Sequence, residues 1–215
     1  MTKDSKQKNK LILLGAGGHA VSSIDVIEST MNHEIIGLID SKINKEINIH
    51  DYPLLGVDED FLDIIKNLDP KLKGIVTVGQ IKNSKIRLRL FNLLKDAGIL
   101  STAIISPASY VSRKANVDDG TIIFHGVVIN ANVRIGENCI INTNSLIEHD
   151  VVIGSHCHIS TGAIINGDVV IENETFIGSG ATIKQGVKIG SNCIIGMGQS
   201  IFTDIEAGSI ISTGK

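Results

Sequence analysis

The residues best suited to proton chemistry are a histidine and an aspartate that are adjacent in the sequence, His149 and Asp150. A neutral imidazole has an unperturbed pKa of about 6.5, so it can accept a proton near neutral pH. The neighbouring carboxylate can orient or polarise the ring. Residue types of this kind have the chemistry that a general base requires.

A second candidate site is a glycine-rich turn at the end of the first apolar run. Gly15, Gly17 and Ala20 satisfy the pattern G-x-G-x-x-[GA], and an acidic residue, Asp40, closes the next predicted strand. In such turns backbone N–H groups approach a diphosphate at the N-terminus of a helix. The pattern indicates a nucleotide diphosphate as ligand.

Three interpretations of this turn stay open, namely NAD binding, nucleotide-sugar binding and a purely structural turn. A complete dinucleotide fold needs a second half, and about 90 residues is short for one, so we favour the nucleotide-sugar. His19 lies where a phosphate would sit. It can contact the diphosphate or the sugar, or it can be an exposed histidine at a helix start.

The histidine–aspartate pair lies within a stretch that has a fixed six-residue period. From Val111 to Ile201 every sixth residue is Val or Ile, at all 16 positions. Four places after each of them, as far as Cys193, the residues are small or β-branched. Short strands between tight corners satisfy this period, whereas an α-helix and a heptad repeat do not. The stretch therefore predicts a parallel β-helix of about five 18-residue coils.

The repeat also predicts where the candidate base points. His149 lies two places after the inward-facing Ile147, hence on the outer side near a corner. One coil later the same position is Gly167, and Asp150 is followed by Asp168. A glycine stacked on a histidine leaves a notch through which a substrate can reach the imidazole. The same register puts the three cysteines in one inward column as reduced core residues, Cys139, Cys157 and Cys193.

The first hundred residues alternate between strand and helix patterns. The predicted strands are 10–14, 34–39, 74–78 and 102–105, and the predicted helices are a segment that follows Ala20 and ends at about Ser29, then 59–68 and 85–97. In the last helix Ile86, Leu90, Leu93 and Leu94 fall on one apolar side. This order predicts a small, Rossmann-like parallel α/β domain over residues 1–105, followed by the β-helix over 106–215.

Charge and composition exclude several classes of protein. The net charge is −3, with 14 basic and 13 acidic residues in 1–100 and 6 and 10 in 101–215, so no nucleic-acid partner is expected. Residues 1–10 are polar and lysine-rich. We therefore expect no signal peptide and no insertion into a membrane. We also expect the protein to be cytoplasmic.

The order of these motifs is similar to that of a known family. The glycine-rich turn is followed by Gly-Leu-Ile-Asp at 37–40, by Val-Gly at 78–79, and by hexapeptide repeats that carry Asn-Thr-Asn-Ser-Leu-Ile-Glu-His-Asp at 142–150. The chain resembles, from residue 10 onwards, the bacterial sugar acyltransferases of the sialic acid O-acetyltransferase and UDP-4-amino-sugar N-acetyltransferase type. The resemblance implies a homotrimer of left-handed β-helices, with acetyl-CoA as co-substrate between subunits and a UDP-sugar in the N-terminal domain.

The resemblance also implies roles for individual residues. His149 corresponds to the catalytic base and Asp150 to its acidic neighbour, where the family often has Glu. The substrate-binding residues would be Gly15, Gly17, Gly18, His19, Asp40, Gly79 and Asn142. The residues near the acetyl thioester and the pantetheine arm would be His158, Gly167 and Gly178. No metal is implied, and the family's usual Gly-Val-Pro-Ala-Lys ending does not occur.

The implied reaction is N-acetylation of the 4-amino group of a UDP-4-amino-4,6-dideoxy sugar, in the synthesis of bacterial glycans of the bacillosamine or legionaminic type. Direct attack is expected, because no cysteine is predicted to face outward and no Gly-x-Ser-x-Gly segment exists. One alternative is O-acetylation of a sialic acid, although free sialic acid carries no phosphate for the glycine-rich turn.

Two other classes of function stay open. One is a metal lyase, since carbonic anhydrases exist on the same solenoid, with zinc held by three histidines across a trimer interface, although that family lacks the N-terminal nucleotide-type domain. His125, His149 and either His156 or His158 would supply them here, but they occupy different offsets in the repeat. The last alternative is a non-catalytic protein that binds a nucleotide-sugar.

Overall fold

The chain folds into two compact units. The computed structural model describes residues 8–41 and 52–212, so most of the predicted polar start and the last three residues lie outside the described part. One unit comprises residues up to 79 together with 90–101, and the other comprises 80–89 together with 102 onwards. The sequence predicted the domain boundary at residue 105. In the structure the chain passes from the first unit to the second for the last time between Ser101 and Thr102. Within the described ranges no helix is long and apolar enough to cross a membrane.

The first unit is built on a four-stranded parallel sheet with the order β3-β2-β1-β4. The strands are β1 Asn9–Leu14, β2 His33–Asp40, β3 Leu54–Val57 and β4 Lys73–Val76. The helices are α1 Gly18–Ser29, α2 Phe61–Lys66, which follows a 3₁₀ turn at Asp58–Asp60, and α3 Lys85–Asp96. The central strand β1 is buried from Leu11 to Leu14, because both faces of a parallel sheet are covered.

One strand of this sheet differs from the prediction. The predicted strand at 102–105 is shorter, Ile104–Ile105, and pairs with Ile122–Ile123 of the second unit, so its assignment to the α/β sheet was wrong. The fourth strand of that sheet is β3, which the sequence did not predict. Its half-buried Leu-Leu-Gly-Val sequence lies at the sheet edge, where the hydrophobic signal is weak.

The second unit is a parallel β-helix of two-residue strands, which confirms the predicted fold. Its strands, β5 to β22 in chain order, are Ile104–Ile105, Tyr110–Val111, Asn116–Val117, Ile122–Ile123, Val128–Ile129, Arg134–Ile135, Ile140–Ile141, Leu146–Ile147, Val152–Ile153, His158–Ile159, Ile164–Ile165, Val170–Ile171, Phe176–Ile177, Thr182–Ile183, Lys188–Ile189, Ile194–Ile195, Ser200–Ile201 and Ile210–Ile211. The Val and Ile residues of the repeat form one continuous core.

These strands stack into three sheets, which form the faces of the coil. The first face runs from β5 to β22, the second from β6 to β21 and the third from β7 to β19. Strands pair in parallel with the strand 18 residues away, except that β22 pairs with β20 at a separation of 16 residues. We call the turns after these faces the first, second and third corners. His149 follows β12 and therefore lies at the second corner.

Each corner requires a left-handed backbone. A residue with positive φ occurs every sixth position from 120 to 198, and nearly all of these residues are Gly, Asn or Asp. The two exceptions are stacked at the third corner, His156 at φ 60° and Glu174 at φ 62°. Gln80 Nε2 donates to the carbonyl of His156 at 2.9 Å, and Ser84 Oγ donates to the Glu174 carboxylate. Surrounding contacts of this kind are what allow unfavourable backbone angles to persist.

Arg87 anchors the same segment at the third corner. Its side chain is 1% exposed, and Nη2 donates to the carbonyl and to Oδ1 of Asn138 at 2.9 and 2.7 Å. Burial lowers the pKa of Arg87 to about 10, which leaves the guanidinium charged at neutral pH. The apolar side predicted for this helix holds for Leu90 but not for Ile86, which is 57% exposed. The spacing of apolar residues does not indicate that the guanidinium of Arg87 will be buried against hydrogen-bond acceptors of Asn138.

The cysteines lie in one buried column, are free, and pair with backbone groups. The amide of Cys157 donates to Cys139 Sγ at 3.4 Å, and the Cys139 thiol donates to the carbonyl of Gly154 at 3.1 Å. Thr175 Oγ1 likewise accepts a hydrogen bond from the amide of Cys193, at 3.1 Å. Burial raises the pKa of the Cys157 thiol well above its usual value, so this thiol is a core residue rather than a nucleophile.

Candidate active site

The candidate base and its carboxylate are hydrogen-bonded at the second corner. His149 Nδ1 lies 2.8 Å from Asp150 Oδ2, and the two side chains are 53% and 45% exposed. A neutral imidazole carries one N–H, and this bond places it on Nδ1. The lone pair is therefore on Nε2, which is the nitrogen able to accept a proton from a substrate.

A third residue, Asn132, holds the carboxylate in place. Its Nδ2 donates to Asp150 Oδ1 at 2.9 Å, so each oxygen of Asp150 has its own partner. The bond from Asn132 and the bond from His149 keep the pKa of Asp150 below its usual value. Asn132 lies one coil before Asp150, at the same position of the repeat. Asn132 was not predicted as a site residue, although the 18-residue register places it directly before Asp150.

The stacked glycine is in direct contact with the imidazole ring. A methyl group added at Gly167 would lie 2.7 Å from both Cε1 and Nε2 of His149. The predicted notch therefore exists, but the ring itself occupies it, and substrate must approach from the outer side. Gly167 is needed because any larger residue would push the imidazole away.

The surroundings of His149 make it a stronger base. The hydrogen bond from His149 to Asp150 raises the pKa of His149, partial burial opposes this, and the charges of Asp150, Asp168 and Glu148 raise the pKa further. A carboxylate beside an imidazole favours the protonated ring. The site can therefore accept a proton readily, but it requires a pH above the usual value for histidine to be neutral.

Two cavities flank the pair along the second corner. One of about 540 Å³ covers coils N-terminal to it and is lined by Lys114, Asn116, Asn132, Val133, Arg134 and Asp150. The other, of about 450 Å³, covers C-terminal coils and is lined by Asn166, Thr182, Lys184, Gln185, Ser200, Ile201 and Phe202. Both have the volume of small-molecule sites. A base between two cavities suits a transfer between two substrates.

The glycine-rich turn of the first unit has the predicted position between β1 and α1. Gly15 has φ +116°, and an added methyl group would lie 2.5 Å from Val78 Cγ2, so glycine is required there by the backbone and by packing. At Gly17 and Gly18 an added methyl group would meet nothing within 4 Å. Their open surroundings, at the start of a 12-residue helix without a side-chain cap, leave room for an anion.

Other predicted residues gather at this end of the sheet. Asp40 Oδ2 accepts a hydrogen bond from the amide of Ala16 at 2.5 Å, so it supports the turn itself. A methyl group added at Gly79 would lie 3.4 Å from His19 Cβ, which places these two residues side by side. Thr77, which the sequence did not single out, donates to the carbonyl of Gly15 at 2.7 Å. Roles for these residues in binding substrate stay predictions.

Asn142 and His158 form a separate pair on the first face and at the first corner. His158 is 6% exposed, its Nδ1 lies 2.6 Å from the carbonyl of Gln80, and its Nε2 lies 3.3 Å from Asn142 Nδ2. Burial lowers the pKa of His158 to about 4, so the ring is neutral near pH 7. Nδ1 must donate to the carbonyl, which leaves Nε2 as the acceptor. Nothing in the local sequence indicates the contact with Gln80.

Gly178 packs tightly between coils. A methyl group added there would lie 2.5 Å from the amide nitrogen of Met197 and 2.8 Å from the carbonyl oxygen of Ile195. Stacking of the coils alone therefore requires a glycine at this position. Contact with a pantetheine arm stays a prediction.

The remaining solenoid histidines are engaged in the fold. His125 Nδ1 lies 2.6 Å from Ser106 Oγ, and His156 Nδ1 lies 3.0 Å from Asn138 Nδ2. They follow strands of the first and third faces, whereas His149 follows one of the second. In the described ranges no three His, Cys, Asp or Glu side chains are grouped as ligands for a metal.

Models of three protein families match parts of the chain in both units. Residues 10–94 match the PglD N-terminal domain, residues 135–167 the bacterial transferase hexapeptide (six repeats), and residues 168–202 the hexapeptide repeat of succinyl-transferase. No curated protein sequence matches the chain.

Solved structures match nearly the whole chain. PerB, the perosamine N-acetyltransferase of Caulobacter crescentus, in complex with CoA and GDP-perosamine, is 26% identical with a TM-score of 0.83, over 94% of this chain and 92% of that one. The acetyltransferase domain of PglB from Neisseria gonorrhoeae, with acetyl coenzyme A, is 25% identical with a TM-score of 0.84, over 96% and 97%. WeeI from Acinetobacter baumannii, 24% identical with a TM-score of 0.83 over 94% and 96%, shares the fold. The N-terminal domain, the repeats and these neighbours together match the hexapeptide-repeat sugar acyltransferases.

Proposed function

We propose that this enzyme transfers the acetyl group of acetyl-CoA to the 4-amino group of a UDP-4-amino-4,6-dideoxy sugar, for a bacterial glycan of the bacillosamine or legionaminic type. The observation that carries the proposal is the imidazole of His149, tied at Nδ1 and basic at Nε2 between two cavities. The Caulobacter enzyme, which binds CoA and a nucleotide-linked amino sugar, supports it. Both substrates are nucleotide-activated metabolites, which favours a cytoplasmic reaction.

The reaction follows from the chemistry of the site. The sugar amine attacks the thioester carbonyl, and His149 Nε2 takes the proton that the nitrogen loses as the C–N bond forms. When the tetrahedral intermediate collapses, the C–S bond breaks and the imidazolium returns the proton to the thiolate of CoA. Asp150 keeps the ring in the tautomer that this step requires. Because the three cysteines are buried, the proposed reaction is a direct transfer, without an acyl-enzyme formed on a thiol.

We propose that the enzyme acts as a homotrimer with acetyl-CoA between subunits. His149 lies at the second corner, whereas Asn142 and His158 lie at and near the first corner, one face away. A cyclic assembly would bring the second corner of one copy to the first corner of the next. Exposed apolar side chains on the second face, Tyr110 and Ile164, favour such contact.

Release of free thiol from acetyl-CoA tests the proposal directly. The assay would compare UDP-linked and GDP-linked 4-amino sugars, a CMP-linked sugar and free sialic acid, with the product mass measured in each case. We expect release with the UDP-linked amino sugar and a mass gain of one acetyl group. Release with sialic acid alone would identify an O-acetyltransferase instead, and binding without any release would identify a non-catalytic protein.

We expect the acid side of the pH–rate profile to report the pKa of His149. Because Asp150 raises this pKa, turnover is lost as the pH falls through a value above the usual 6.5. In Asp150→Asn the hydrogen-bonded charge is gone, so the midpoint of the acid limb moves to lower pH. Asp168→Asn is the matched control, since Asp168 contributes its charge only, and a smaller shift is expected. An unmoved midpoint in Asp150→Asn would contradict this coupling.

A further inference from the structure

The cavity N-terminal to His149 is polar and carries two cations. Of its six lining residues only Val133 is apolar, and Lys114 and Arg134 bring positive charge next to Asp150. In the described part of the chain, no ion pair or side-chain hydrogen bond joins either cation to a protein group. Both are therefore available to a ligand.

Basic residues are scarce in the coils of the β-helix, which follow residue 101. From residue 102 to 212 the sequence contains ten acidic residues but only five basic ones, Arg113, Lys114, Arg134, Lys184 and Lys188. Two of the five line this one cavity. On coils of net negative charge, a local pair of cations is the feature that attracts an anionic group.

The register places Arg134 one coil and Lys114 two coils before the base, and the charge of Arg134 also helps to lower the pKa of Asp150. Lys114, Asn132 and Asp150 occupy the same place at the second corner of three successive coils, so Lys114 lies two coils, about 10 Å, before Asp150. Arg134 faces outward one coil before Val152, on the adjoining third face. A sugar whose amine reaches His149 would direct its opposite end towards these cations.

We propose that Lys114 and Arg134 bind the anionic group of the acceptor. That group is the phosphate of a nucleotide-linked amino sugar or the carboxylate of a sialic acid, and the inference rests on the acetyl transfer proposed above. Asn116 and Asn132 donate their amide protons to Asp118 and Asp150, which leaves their carbonyl oxygens to accept bonds from sugar hydroxyls. The solenoid, and not only the glycine-rich turn, then selects the acceptor.

Kinetics of charge-removing variants test this assignment in the full-length enzyme. We expect Lys114→Gln and Arg134→Gln each to raise the acceptor KM by roughly 10- to 100-fold, the range for a lost charge-assisted hydrogen bond. The KM for acetyl-CoA should change less than about twofold. Lys188→Gln is the matched control, because Lys188 is an exposed cation on the same third face outside the cavity. An unchanged acceptor KM in both cavity variants, or an equal rise in the control, would overturn the proposal.

Calorimetric binding without acetyl-CoA separates this inference from the catalytic one. The probes are UDP-linked 4-amino sugar, free sialic acid, and the uncharged methyl glycoside of N-acetylglucosamine. We expect both cavity variants to weaken one of the two anionic probes by the same 10- to 100-fold, and the affected probe identifies the source of the anion. Loss of affinity for the uncharged glycoside alone, or no change for either anion, would refute the anion site even if acetyl transfer is observed. Weakened anion binding in an enzyme that transfers no acetyl group would retain the site and reject the reaction.

Discussion

Replacing His149 with alanine is expected to lower turnover by roughly 100- to 10,000-fold, the contribution of a general base. The imidazole is about half exposed and is hydrogen-bonded to Asp150 at the surface, so its removal takes no packing from the core. The melting temperature should stay within about one degree of that of the unmodified enzyme, since exposed substitutions of this kind change stability little. Initial rates at saturating acetyl-CoA and acceptor, together with thermal unfolding, measure both quantities.

A matched pair of variants separates loss of the base from loss of its orientation. His149→Gln keeps a polar side chain of similar length but cannot act as a base, so its turnover should match that of the alanine variant. Asn132→Ala keeps the base and removes a support of the Asp150 carboxylate, and we expect a smaller loss. Near-normal turnover in His149→Ala would reject the assignment of the base.

The second large effect is expected at a residue with no chemistry of its own. In Gly167→Ala the new methyl group would lie 2.7 Å from the imidazole, so the ring must move by about an ångström. A displacement of that size from the reacting geometry can cost about 100-fold in rate. We expect kcat to fall by this order, with the KM for each substrate little changed, and steady-state kinetics would show it.

Two comparisons make the interpretation of Gly167→Ala specific. Gly178→Ala would place its methyl group against the backbone of the next coil, so it should lower the melting temperature, whereas Gly167→Ala meets only an exposed side chain and should not. In a double-mutant cycle, Gly167→Ala should have no further effect once His149 is alanine. An additive loss in the double variant would show that Gly167 acts on something other than the ring.

The fold of the second unit could be predicted because its signal is local and repeated. Each Val or Ile of the six-residue period reports the same inward position, and its spacing alone determines which residues stack 18 places apart. The contact of His149 with Gly167 follows from that register without any knowledge of distant contacts. The glycine-rich turn was predictable for a similar reason, because a strand, a turn and a helix start adjoin in sequence.

The rest depends on contacts that no local pattern encodes. The carbonyl of Gln80 sets the tautomer of His158, and Arg87 is buried against Asn138, yet these partners lie far apart in the sequence. The same is true of the edge strand β3 and of the strand Ile104–Ile105, because no local pattern indicates their partner strands. A short apolar segment has no feature that specifies which sheet it will join.

The ladder of coils has a further consequence for how acceptors could diversify. In the described solenoid, the backbone hydrogen bonds between coils join each coil to the coil before it and the coil after it, as in other solenoids. The coils around Lys114 can therefore change, by evolution or by design, without a change in the structure of the coils beyond Gly167.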